Sequence, residues 1–382
     1  MNRLGISIYP ERTTVEKDLE YIALAHYYGF TRIFTCLLSV EGSRQEILDR
    51  FQETIRFAND HRMQVVVDIA PRVMERLGVS YQDLSFFHDM GVYGVRLDLG
   101  FSGKEEAEMT MNPHGLAIEI NMSGGTKYLE NILTHRLNKD NLIGSHNFYP
   151  HRYTGLSDSH FSDCSRVFKQ NGIRTAAFIN SPSATFGPWP VTEGLCTLEK
   201  HRELPIQVQA KHLFMTGLID DVIIANAYAS EEELKTLSRL DPRLPTFEVE
   251  LYETATELER DIVLKESHFY RGDVSDYVIR STQSRVKYRQ ESFPPTNTPP
   301  IRRGDLLIDN EQYGQYKGEL QIALQDMENS GKTNVVGRIV EDETFLLDHL
   351  QPWSSFAFVL KGQLVSDGAY FFKQKPPAPA EG

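Results

Sequence analysis

The run Leu142–Ile179, LIGSHNFYPHRYTGLSDSHFSDCSRVFKQNGIRTAAFI, contains the unit from which the fold is read. A strand-like apolar stretch, Leu142–Phe148, is followed by an amphipathic stretch of helical spacing, Ser159–Asn171. Gly172 closes that helix, and a second strand, Ile173–Ile179, begins at once. Toward the N-terminus the same alternation gives strands at Leu4–Tyr9, Arg32–Leu38, Gln64–Ile69, Gly94–Leu99 and Leu116–Met122. Helices are expected between them at Val15–Tyr28, Arg44–His61, Tyr81–Met90, Lys104–Met109 and Lys127–Leu137. Toward the C-terminus, Ser181–Leu195 reads as a long loop, Pro205–Thr216 as helix and Asp221–Ala225 as the eighth strand. Ser230, with Glu233 three residues later, has the spacing of a capping box that opens a last helix to Leu240.

Eight strand–helix units in about 240 residues are the count and length of a (β/α)8 barrel. A doubly wound open sheet would use fewer strands and carry a Gly-rich turn after the first; Ile8-Tyr9-Pro10-Glu11 is not such a turn. Past Asp241-Pro242-Arg243-Leu244-Pro245 the character changes. Thr246–Tyr252, Asp276–Arg280, Asp305–Asp309, Asn334–Ile339 and Trp353–Leu360 are short and strand-like, and Phe293–Pro300 is proline-rich loop. The sequence therefore divides into a barrel over 1–241, a mostly β domain over 246–374 and a Pro/Ala-rich tail, 375–382, expected to be disordered.

The chain has 382 residues, with 40 Lys+Arg against 53 Asp+Glu, a net charge of −13 that is spread over both parts. Such a surface repels phosphate backbones and anionic lipids, so neither nucleic acid nor membrane is an expected partner. Cys36, Cys164 and Cys196 form no CxxC and support neither a zinc ribbon nor a disulfide framework. The N-terminal residues lack the apolar core of a signal peptide, and no stretch approaches the ~20 apolar residues of a membrane span. The expected setting is the cytoplasm; the oligomeric state stays open.

Barrel enzymes place their chemistry at the C-terminal ends of the strands. Those ends supply Tyr9 and Glu11 after strand one, Asp68 and then Arg72 at strand three, and Arg96 and Asp98 on one face of strand four. Strand five supplies Glu119 and Asn121, strand six His146, Asn147 and Tyr149, strand seven Asn180, and strand eight Asn226. Inward polar groups are costly to bury unless paired, so their convergence at one rim marks a candidate active site. The competing reading of Arg96 and Asp98 is a structural ion pair. Asp68, Asp98 and Glu119 could also form an oxygen set for Mg²⁺, but there is no HxH after strand one and no HExxH, and no metal or cofactor is expected. Two carboxylates without a metal suit glycosidic chemistry. In the loop after strand seven, the aromatic run Phe186–Pro190 can stack on a sugar, and Lys200, His201 and Arg202 lie near the usual phosphate region of such barrels.

Several motifs carry a resemblance. Leu4-Gly5-Ile6-Ser7-Ile8-Tyr9-Pro10-Glu11, Arg32-Ile33-Phe34-Thr35-Cys36-Leu37-Leu38-Ser39, Val95-Arg96-Leu97-Asp98 and His146-Asn147-Phe148-Tyr149-Pro150, with Arg303-Gly304-Asp305 and Tyr316-Lys317-Gly318-Glu319-Leu320-Gln321, together resemble the MupG-type 6-phospho-N-acetylmuramidases. The resemblance spans nearly the whole chain. It implies a TIM barrel followed by a cyclophilin-like β domain. It also implies a cytoplasmic glycosidase of peptidoglycan recycling that cleaves N-acetylmuramic acid 6-phosphate–N-acetylglucosamine. Such a substrate carries a phosphate and a lactyl carboxylate, for which Arg72, Arg96, Arg152 and Arg202 are the candidate cations. Arg280, Arg302 and Arg303 of the β domain could add to them. Asp98 and Glu119 are the expected carboxylate pair, with Asp68 in reserve. Tyr9, Asn121, His146, Asn147, Tyr149, Asn180 and Asn226 complete the expected substrate contacts. The alternatives are a metal-dependent sugar-phosphate aldolase or isomerase on the same barrel, and a sugar-phosphate-binding protein without catalysis.

Overall fold

The computed structural model describes residues 2–38, 42–190 and 193–363. The eight strands of the N-terminal unit are β1 (Arg3–Ser7), β2 (Arg32–Cys36), β3 (Gln64–Ile69), β4 (Gly94–Leu97), β5 (Ala117–Asn121), β6 (Leu142–Ser145), β7 (Arg174–Ile179) and β8 (Asp221–Ile224). All pair in parallel, and β8 returns to β1 with Val222 opposite Leu4, which closes the barrel. The helices between them follow the sequence pattern because local chemistry agrees with it. Ser43 and Glu46 form a reciprocal cap on helix Arg44–Asp60. Ser230 and Glu233 do the same before helix Glu231–Ser238. Gly91, at φ 83°, ends helix Ser85–Met90 in a left-handed conformation that a side chain would strain.

The differences are at element ends. A short helix, Pro71–Arg76, follows β3, with proline at its first turn, where the missing N–H costs nothing. The helix expected over 127–137 is only Tyr128–Leu133. Beyond it Asn138 caps a tight turn and donates its own amide to Thr110, 2.9 Å, which draws the chain back to the barrel wall.

Residue contacts end the barrel unit at Ser238 and begin a second at Arg239. The second unit holds β9 (Thr246–Leu251), β10 (His268–Phe269), β11 (Val278–Ser281), β12 (Asp305–Asp309), β13 (Leu320–Ala323), β14 (Thr333–Ile339) and β15 (Ser355–Leu360). They form one sheet in the order β10-β15-β9-β14-β12-β13-β11. Its edges curl toward each other. The Arg271 amide donates to the Arg280 carbonyl at 3.1 Å, so the sheet is nearly a closed barrel. Phe247, Phe356 and Phe358 pack its interior around the buried ring of His268. A helix, Glu257–Lys265, and the short strands β10 and β13 were not legible in the sequence. The expected tail, 375–382, and the last residues of the expected β domain lie outside the described residues.

Candidate active site

The ladder places Cys36, Asp68, Arg96 and Glu119 side by side on β2 to β5, at one level of the barrel wall. Alternation turns all four inward. Arg96 is the hub of this row and is 2 % exposed. Its Nη1 donates to Asp68 Oδ1 at 2.6 Å and lies 3.5 Å from Asp98 Oδ1. Its Nε donates to Ser145 Oγ at 2.7 Å, and its Nη2 donates to Asn147 Oδ1. The guanidinium fork thus gathers two carboxylates, a hydroxyl and an amide from its own strand end and two others, β3 and β6. Burial pushes the Asp68 carboxyl up to about 7, against the pull of Arg96. Asp98 stands higher, with its side chain one-third exposed. Asn121 donates to the Asp98 carbonyl at 3.3 Å and accepts from the Ser123 amide, which holds the β4 and β5 rims together.

Beneath this row is a second set of charges. Glu119 is fully buried and turns away from the rim, its Oε2 bound by Arg32 and its Oε1 3.7 Å from Arg96 Nε. Arg32 also holds Asp221 at 2.6 Å, as does Arg3, and Arg174 joins them. Burial alone would raise the Asp221 carboxyl, but the three arginines keep it far below the usual range.

An aromatic wall rises beside Arg96. Phe34, Phe148 and Phe178 meet edge to face, with centroids 5.1 to 5.8 Å apart. Trp189, from the long loop after β7, lies 6.2 Å from Phe148 at a 37° tilt. Both Phe148 and Trp189 are half-buried, so their free faces are available to a sugar ring. Tyr149 is half-buried nearby, within the fields of Arg96 and Asp98; burial raises its phenol. Buried Tyr9 donates its hydroxyl to the Ala225 carbonyl across the β8–β1 seam.

Two family models match the chain. The model of the 6-phospho-N-acetylmuramidase N-terminal domain covers residues 4–239, and that of its C-terminal domain covers 245–359. The chain belongs to the 6-phospho-N-acetylmuramidase family. It is similar, at 51 % identity and a TM-score of 0.87, to an uncharacterized protein of B. cereus, over 94 % of this chain and 99 % of that one. It is also similar to a conserved Enterococcus faecalis protein of unknown function, at 26 % identity and a TM-score of 0.70, over 94 % and 97 % of the two chains. None of the curated proteins matches. A 6-phospho-N-acetylmuramidase is a glycosidase, and its name implies a phosphorylated sugar as substrate.

In a 6-phospho-N-acetylmuramidase the cations at the rim are of particular interest, and the expected ones are largely engaged. Arg202 binds Glu199 through Nε and Nη2, at 2.8 and 2.7 Å, and donates Nη1 to the carbonyls of Tyr149 and Glu193. The Arg202 contacts hold the Glu199 carboxyl near 2, and Glu199 also accepts from the Tyr153 and Gly155 amides. This pair clamps the loops after β6 and β7. Lys200 is bound to Asp158 at 2.6 Å, and Arg152 to Glu203 at 2.9 Å. Arg72 is exposed at the start of helix Pro71–Arg76. Lys17, which had no signature in the sequence, lies 4.4 Å over the Tyr228 ring and 4.8 Å over Phe186, where the β1, β7 and β8 loops meet.

Three other expected contacts serve the scaffold. His146 follows the last ladder residue of β6 and points outward, between Ser123 Oγ at 3.1 Å and Ser165 Oγ at 2.9 Å. Burial pushes it down to about 3, so it is neutral. Asn180 accepts from the Leu195 amide, and Asn226 exchanges hydrogen bonds with the Ser181 backbone; both pin the β7 loop. Glu11, noted in the sequence without a role, has both carboxylate oxygens shielded and no side-chain hydrogen bond among the described residues, and burial raises it. Among the described residues no group of three or more His, Cys, Asp or Glu side chains is arranged to hold a metal. No described helix is long and apolar enough to cross a membrane.

Proposed function

We propose that this chain hydrolyses the β-1,4 bond between N-acetylmuramic acid 6-phosphate and N-acetylglucosamine in peptidoglycan recycling in the cytoplasm. Asp68 is the proton donor and Asp98 the partner carboxylate. One observation carries the assignment: a single buried guanidinium nitrogen holds both carboxyl groups at the rim. The deeper one is pushed up to about 7, where a carboxylic acid still carries its proton for part of the time at neutral pH. Glu119 is the foundation of Arg96 rather than a reacting group, because it is fully buried and bound from below.

The Asp68 proton passes to the glycosidic oxygen as the bond from that oxygen to the anomeric carbon breaks, and N-acetylglucosamine leaves. The carboxylate of Asp98 meets the positive charge that grows on the sugar, directly or by orienting the 2-acetamido group; water then bonds to the anomeric carbon, displacing whichever group holds it, and gives its proton back to Asp68. The shared nitrogen limits the separation of the two nearest oxygens to about 6 Å, the limit set by the 2.6 and 3.5 Å contacts. Inverting enzymes need about 6.5–9.5 Å to admit a water between their carboxyl groups. The spacing therefore supports a retaining or acetamide-assisted route. Phe148 and Trp189 supply the sugar platform. Lys17 and Arg72 are the rim cations for the phosphate, having no carboxylate within salt-bridge distance among the described residues. The test is release of N-acetylglucosamine from the phosphorylated disaccharide by the purified chain. Equal turnover of the unphosphorylated disaccharide would reject the phosphate-recognition part, and no turnover of either would reject the whole.

A further inference from the structure

The second unit has a cleft of its own, about 410 Å³, whose lining residues all belong to that unit. It lies among the turn after β9, the proline-rich segment before β12 and the flank of β14. Two guanidinium groups open on it. Arg302 is exposed, and its side chain has no hydrogen-bond partner among the described residues; only its backbone amide is engaged, with Asp305 at 2.7 Å. Arg338 donates Nη2 to the Arg303 carbonyl at 3.1 Å, but its Nε is shielded from solvent and has no hydrogen-bond partner among the described residues.

Among the described residues the acids at the cleft accept no side-chain hydrogen bond from these donors, although Asp305 stands at ion-pair distance from Arg338. Asp305 Oδ1 is 3.9 Å from Arg338 Nε, beyond hydrogen-bond reach, and its Oδ2 is spent on the Arg302 amide. Burial raises the Asp305 carboxyl, against the pull of the Arg302 amide and of the Arg338 and Arg302 charges. Glu253 is exposed at the rim, where water screens it. A buried N–H of a charged group without an acceptor is costly to keep, and a guanidinium fork matches the planar spacing of two oxyanion oxygens. The remaining lining is different in kind, with the partly exposed Tyr252 ring and the two prolines at 299 and 300. The volume is within the range of about 300–1,000 Å³ common to small-molecule sites.

We infer that this cleft is a binding site for a small ligand bearing an oxyanion, phosphate or carboxylate. The anion bridges Arg302 and Arg338, and the ligand's body rests against Tyr252 and the prolines. The inference does not depend on the roles given to Asp68 and Asp98.

Val335 lines the same cleft and is a local reporter. Methyl spectra of the full-length chain, labelled at valine, are followed during titration with inorganic phosphate, with lactate and with neutral glycerol. The expected result is a saturable shift of the Val335 methyl signals with at least one of the two anions and none with glycerol. A response to phosphate alone assigns a phosphoryl ligand, and a response to lactate alone a carboxylate. Arg338→Met and Arg302→Met should each weaken the response about tenfold or more. Arg302 is exposed, so its variant tests the site even if Arg338→Met fails to fold. The inference is overturned if Val335 is unmoved by either anion at tens of millimolar, or if it responds alike in wild type and Arg302→Met.

Discussion

Replacing Asp68 by Asn removes one ionisable proton while keeping an oxygen for Arg96 Nη1, now 2.6 Å from Asp68 Oδ1. The effect on stability has a definite sign. The Asp68 carboxyl is raised from 3.8 to about 7 in the native state, mainly by burial. Between about pH 4 and pH 7 the native chain therefore holds a proton that the unfolded chain has released. Stability falls as pH rises through that window, with a slope of up to about 1.4 kcal/mol per pH unit. Integrated from acid to slightly alkaline solution, the loss is roughly 4 kcal/mol. Asn cannot ionise, so the variant lacks this component, whatever constant offset comes from leaving Arg96 with less counter-charge. Urea unfolding of both proteins at pH 5, 6, 7 and 8 measures it, and their stability difference should drift in the variant's favour as pH rises. Turnover of the phosphorylated disaccharide should fall about 10²–10⁴-fold in the variant. It should fall much less for an aryl glycoside whose leaving group needs no proton. Parallel stability curves would refute the raised proton affinity, and a variant retaining a tenth of wild-type turnover would refute the acid role.

Glu119→Gln should destabilise the fold by about 3–5 kcal/mol, because it strips the buried Arg32 of one counter-charge. Turnover per folded molecule should stay near wild type, and a large loss at full folding would return Glu119 to the chemistry. Lys17→Met and Arg72→Met should raise KM for the phosphorylated disaccharide about tenfold or more with little change in kcat; an unchanged KM in both would place the phosphate elsewhere. His146, pushed down to about 3 between its two serines, should show no titration by ring NMR between pH 5 and 8. A midpoint in that range would mean that the ring is not sealed as the structure has it.

The barrel was legible because its signals are local. The strand–helix units carry their own periodicity, and some carry caps and glycine stops as well, as Ser230–Glu233 and Gly172 illustrate. Arg96 and Asp98 on one face were legible from alternation in β4, and Asp68 was a strand-end candidate held in reserve behind Glu119. Whether an inward residue turns up to the rim or down into the barrel was not legible. Glu119 and Arg96 share a level, and what turns Glu119 down is Arg32, on a strand that is not its neighbour. His146 was open to a better reading. Ser145 and Asn147 both reach Arg96, so strict alternation already turns the residue between them outward. The Glu199–Arg202 clamp was also within reach, since the two stand three residues apart. Lys17 was not, because its position depends on two rings from loops some 170 and 210 residues away.

The buried charges form an alternating series through the barrel, from Asp221 to Arg32, Glu119, Arg96 and Asp68. Its members come from β8, β2, β5, β4 and β3, so the order in space ignores the order in the chain. The series is complete only when the eighth strand has docked against the first. A fragment that stops before Asp221 would have every rim residue from Asp68 to Asn180 and still leave Arg32 short of a counter-charge. The arrangement of the rim that bears Asp68 and Asp98 is therefore not a property of that half of the barrel alone. During synthesis or refolding, its charges can settle only when the last unit arrives.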